Sequence, residues 1–90
     1  MARLALNDFE AGYVGQRIAN GDVFFDLGMM YATGRSVTVD LVAAHKWFNL
    51  AAAKGKEAAK RYREEIAAEL SASQLAQALQ LARGFLAAQA

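Results

Sequence analysis

Between Leu27 and Gly55 the chain spaces bulky, small and capping residues as a pair of packed helices would require. Leu27 and Tyr31 stand four apart and share one helical face, while Gly28 beside them has no side chain and leaves room for a neighbouring helix. Gly34 then reads as a helix stop, Val37 sits in the connection, and Asp40 offers the short acceptor side chain that caps a new helix start. Ala44, Trp47, Ala51 and Ala52 follow at helical spacings, and Gly55 ends the run. A pattern of this kind supplies packing surfaces and no reactive group.

The rest of the chain uses the same vocabulary. Proline is absent, alanine is abundant and β-branched residues are sparse, so helix is favoured almost everywhere. A first helix is expected from Asn7, with Glu10 three residues on as in a capping box, to the Asn20-Gly21 turn signal. The second is expected from Asp22, as its cap, to Gly34, with Val23, Leu27, Met30 and Tyr31 at spacings of three and four. Val37-Thr38-Val39 is too short to seed a sheet. Asp40 caps a third helix that runs through Trp47 to about Lys54. A fourth covers Glu57 to Leu70, with Ala59, Tyr62, Ile66 and Leu70 as its apolar stripe. On its other face Glu57 with Arg61, Lys60 with Glu64 and Arg61 with Glu65 form opposite-charge pairs four apart. Ser71 and Gln74 make a second capping box, opening a last helix with one stripe of Leu75, Leu79, Ala82 and Leu86 and another of Leu81 and Phe85.

The order Leu27-Gly28-x-x-Tyr31, Gly34, Val37, Asp40, Ala44-x-x-Trp47, Ala51-Ala52-x-x-Gly55 resembles the Sel-one-like repeat (SLR) family, a relative of the tetratricopeptide repeats. Val23 and Ala59 occupy equivalent positions in successive units, although no second Leu-Gly-x-x-Tyr follows Ala59. The segment from Glu69 to Ala78 is similar to the helix that often closes bacterial SLR arrays and covers their last repeat. Two positions depart from the family pattern: Ser36 stands where a second loop glycine is usual, and Ala43 where a lysine is usual. A glycine at 36 would adopt positive φ at little cost, so Ser36 leaves the loop backbone open. The resemblance implies an all-α chain forming a short right-handed α/α superhelix of about five helices. Residues 1-90 make a single domain in this reading, with an N-terminal helix over 1-21, one SLR repeat over 22-58 and capping helices over 59-90. It also implies a small adaptor or scaffold that binds other proteins, without naming the partner.

Composition narrows the function classes. Ten Lys and Arg against nine Asp and Glu leave a net charge of +1, so no uniform field draws in nucleic acid or an anionic membrane. The opening residues include Asp8 and Glu10 and do not read as a signal peptide, and no window approaches the ~20 apolar residues of a membrane span. With no cysteine to oxidise, a cytoplasmic setting is the expectation. His45 is the single histidine; one imidazole among carboxylates is a poor zinc set, and it reads as a helix-edge residue beside Trp47 and Phe48. Ser36, Ser71 and Ser73 have no evident base, and Glu64-Glu65 lie among Lys and Arg on a solvated face. The sequence therefore points away from an enzyme, a cofactor or a metal.

Two surfaces remain. The basic stretch Lys54, Lys56, Lys60, Arg61 and Arg63 has the cation density of a phosphate-binding patch, and a nucleic-acid-associated regulator is the alternative function it supports. Its interleaved acids, Glu57, Glu64 and Glu65, favour ordinary surface ion pairs instead. The second surface is apolar. Phe24, Phe25 and Met29 exceed what one helix pair covers, and Leu81 and Phe85 form the surplus stripe of the last helix. Together they are the candidate partner surface, for another protein or for a second copy in a homodimer. The competing expectation is that Phe9, Tyr13 and Ile18 of the first helix cover the Phe25 and Met29 face.

Overall fold

A computed structural model of the chain describes residues 21–89. In that span lie four helices: α1 Gly21–Thr33, α2 Leu41–Ala53, α3 Ala58–Ala67 and α4 Ala72–Gln89. No strand occurs among the described residues, in line with the all-α expectation. The helix expected over 7–21, with Phe9, Tyr13 and Ile18, lies outside the described residues, and with it the fifth member of the expected set. Asp22, expected as a cap, sits in the first turn of α1, where a carboxylate still complements the positive end of the helix.

Local chemistry sets each boundary. At the end of α1 the N–H groups of Gly34 and Arg35 both donate to the Met30 carbonyl, at 2.8 and 3.1 Å, with Gly34 at φ 79°. The loop then doubles back, and the Asp40 N–H donates to the Tyr31 carbonyl at 3.0 Å. Asp40 caps α2 as expected, its carboxylate accepting from the Ala43 N–H at 3.1 Å. At the other end of α2 a Schellman motif closes the helix. Gly55 N–H donates to Ala52 and Lys56 N–H to Ala51, both at 3.0 Å, around Gly55 at φ 95°.

Helix α3 is shorter than the sequence suggests. It stops at Ala67, and residues 68–70 form a tight turn in which Glu69 and Leu70 donate to carbonyls only three residues back. Glu64, Glu65 and Glu69 crowd this end, where the helix dipole favours cations, and no basic residue lies in the last turn. The Ser71 capping box is formed in both directions: Gln74 N–H donates to Ser71 Oγ at 3.1 Å, and Ser71 N–H to Gln74 Oε1 at 2.9 Å.

Helix α2 is the hub, packing against α1, α3 and α4. Its two consecutive aromatic residues point into different grooves, because neighbours on a helix diverge by about 100°. Trp47 is fully buried, with Phe24 of α1 stacked at 5.5 Å between ring centroids and Phe85 of α4 edge-on at 5.2 Å. Phe48 stacks on Tyr62 of α3 at 5.4 Å and meets Phe25 of α1 at 5.6 Å. Phe24 and Phe25, also consecutive, are divided between the two clusters in the same way. Each such ring pair adds roughly 0.5–1.5 kcal/mol beyond the area it buries.

Gly28 makes the α1–α2 approach possible. A Cβ built on it would lie 2.6 Å from two carbons of the Phe48 ring, so the ring occupies the space a side chain would need. The small residue at this crossing was legible; its filler, Phe48, was not.

Ser36 adopts φ 70°, the left-handed region that glycine favours. The loop therefore keeps a backbone suited to glycine and holds a serine in it, a strain of about 1–2 kcal/mol that glycine would relieve at a smaller entropic cost. Ser36→Gly is expected to raise stability by roughly 0.5–1 kcal/mol in chemical denaturation. Trp47→Ala is expected to remove roughly 3–5 kcal/mol, a large part of the ~5–15 kcal/mol of a small domain, and to broaden or abolish the thermal transition.

Candidate interaction surface

The structure divides the five side chains expected to form a partner surface. Phe24 and Phe85 are fully buried in the Trp47 cluster, which corrects their assignment to the surface. The indole is the largest side chain in the core, and covering it takes one ring against its face and another edge-on. Phe25 is half-buried, completing the Phe48 and Tyr62 cluster, with Lys56 Nζ 5.3 Å from its ring centroid. Met29 is half-buried against the core, and Leu81 is likewise half-buried in α4.

Helix α4 is rotated from the expected orientation. Ala78, Ala82 and Phe85 face inward, whereas Leu86, expected in the core stripe, is 41% exposed. Alanines at 78 and 82 present little bulk towards the core, and the ring at 85 fits beside Trp47 as an aliphatic chain would not. The spacing of Ala78, Ala82 and Phe85 is helical and could have marked this face. Alanine carries so little hydrophobic weight that the leucines outranked it.

What α4 leaves in solvent is almost without charge. Ala76, Gln77, Gln80, Gly84, Leu86 and Ala87 are exposed, and Arg83 is the one charged residue in the helix. The outward side of α3 is the opposite, with Lys60, Arg61, Glu64 and Glu65 all exposed. A charge-poor helix face loses little on desolvation, whereas a face of ions must shed bound water before a partner can cover it.

The basic stretch is largely engaged within the molecule. Lys56 pairs with Asp22 at 2.8 Å, Lys60 with Glu57 at 3.3 Å and Arg61 with Glu65 at 3.9 Å. Arg63 Nη1 donates to Asn49 Oδ1 of α2 at 2.9 Å. The i,i+4 pairs expected from Glu57 to Arg61 and from Lys60 to Glu64 give way to an i,i+3 pair between Lys60 and Glu57. Lys54 and Lys56 line an open groove of 310 Å³ with Gly21, Asp22 and Gly55, where the Asp22 carboxylate already answers one cation. This arrangement lacks the unpaired row of cations that phosphates would need.

His45 is not the helix-edge residue the sequence suggested. It is 3% exposed, and its Nδ1 is buried without a hydrogen-bond partner. Burial, and secondarily the positive charge of Arg63, holds its pKa below the ordinary histidine value. Lys46 is also buried, with Nζ 4.1 Å from the Trp47 ring centroid. Sequence reasoning gave Lys46 no role; its position one residue before Trp47 was the available signal. Among the described residues no group of three or more His, Cys, Asp or Glu could hold a metal ion, and no helix is long and apolar enough to cross a membrane.

Comparison with protein-family models, with curated proteins and with solved structures found no match.

The rotation of α4 has a direct test by denaturant unfolding. Phe85→Ala is expected to lose about 3–5 kcal/mol, while Leu86→Ala changes stability by less than about 1 kcal/mol. The reverse ranking would restore the leucine stripe as the buried face.

Proposed function

We propose that this chain is a non-catalytic protein-binding module that receives a partner polypeptide, in the first instance a second copy of itself, on the outward face of α4. The observation that carries the reading is the scarcity of charge on that face, where Leu86 stands exposed among alanine, glycine and glutamine with Arg83 as its one ion. Binding is then burial of a helix face with few ions to desolvate, and the charged side of α3 remains in water.

The resemblance to SLR units supports the same conclusion. In that reading the α1–α2 pair is one repeat within a right-handed α/α superhelix, α3 and α4 close it, and the module is a cytoplasmic adaptor. Gly28 beneath a ring of the neighbouring helix and Trp47 at the hub are what such a repeat needs. Phe25 and Met29 belong to the framework more than to the binding face, since both pack against the core.

Analytical ultracentrifugation across a broad concentration range tests the proposal. Wild-type protein is expected to show mass rising towards a dimer, and the Leu86→Glu and Ala76→Glu variants to remain monomeric with unchanged helical circular dichroism. A wild-type chain that stays monomeric throughout would remove self-association. Dimerisation that persists in both variants would move the surface away from α4.

A further inference from the structure

Helix α3 is fastened to α2 by ring contacts and by a polar link that adjoins an unsatisfied group. Arg63 of α3 donates to Asn49, and one turn before Asn49 on α2 stands His45, buried and with Nδ1 unpartnered. We propose that His45, Asn49 and Arg63 form an acid-sensitive latch between α2 and α3. A proton on the imidazole places a second cation beside Arg63 inside the helix interface and releases α3, uncovering the Phe25, Phe48 and Tyr62 rings.

The surrounding charges leave little to compensate that proton. From α3 the facing group is Arg63, while Lys60 and Arg61 are exposed and paired to Glu57 and Glu65. Glu64 is exposed on the same helix. On α2 the neighbouring Lys46 is itself a cation, lying over the Trp47 ring. Helix α4 contributes only the exposed Arg83. The acids of α1 are Asp22, which is ion-paired to Lys56, and the exposed Asp26. No carboxylate among the described residues forms an ion pair with His45.

The direction of the effect follows from linkage. In the closed state burial first, and Arg63 second, lower the His45 pKa; once released, the imidazole returns towards the ordinary ~6.5. Above that value both states are neutral and the latch has its full strength. As pH falls through ~6.5 towards the closed-state value, the released form takes up a proton that the closed form refuses. The ratio of closed to released molecules then drops by up to about tenfold per pH unit, and the dependence ends below the closed-state value.

Nuclear Overhauser contacts between rings, followed from about pH 7.5 to about pH 5, test the latch while staying above the ordinary carboxylate range near ~4.3. Contacts from Tyr62 to Phe48 and Phe25 are expected to fade in the wild type, while those from Trp47 to Phe24 and Phe85 persist. His45→Phe is expected to hold all of them across the range. Should that variant fail to fold, Arg63→Gln serves as the second test: without the guanidinium the closed-state pKa rises, and the loss of Tyr62 contacts with falling pH becomes shallower. Tyr62 contacts that survive to about pH 5 in the wild type would overturn the proposal. So would their loss together with those of Trp47 in one global transition, or an identical loss in His45→Phe.

Discussion

The structure depends on two adjacent rings of α2 that cannot face the same way. Trp47 and Phe48 are one residue apart, so the helix turns one towards α4 and the other towards α3, and α1 answers both with its own adjacent pair, Phe24 and Phe25. Three helices meet at each cluster, and α1 and α2 take part in both. The glycine at 28 is the condition for this arrangement, because the Phe48 ring lies where any side chain at that position would be. Without that opening α1 would stand off from α2, and neither ring pair could register.

Much of the backbone was legible because its determinants are local. Asp40, Gly34, Gly55 and the Ser71 and Gln74 box act within a turn of their own position, and each does in space what its type and spacing imply. The all-helical composition was equally plain. Ser36 departs in an instructive way. Its residue type argued against positive φ, yet it sits there, between the two N–H groups of Gly34 and Arg35 that donate to the Met30 carbonyl and the Asp40 N–H that donates to Tyr31.

What the sequence concealed was rotation about helix axes. Whether Phe85 or Leu86 faces inward is a matter of one residue on α4, and hydrophobicity alone ranks the leucine stripe first. The decision belongs to Trp47 on another helix, against which Phe85 packs edge-on. The same non-local logic buried Phe24 and His45, which meet Phe85 and the charge of Arg63 from distant parts of the chain. Of the expected surface residues, Phe24 and Phe85 are buried, and the last helix keeps a charge-poor side in water on which Leu86 stands exposed.

The division of aromatic residues into two separate nests has an architectural consequence. Each outer helix meets α2 through a different ring, α3 leaning on Phe48 and α4 on Trp47, while both rings sit in one continuous core that α1 and α2 share. The chain is thus built like an axle carrying two wheels. The outward surfaces of α3 and α4 are therefore set by neighbouring residues of one helix, and their contrast in charge follows from that single turn of α2.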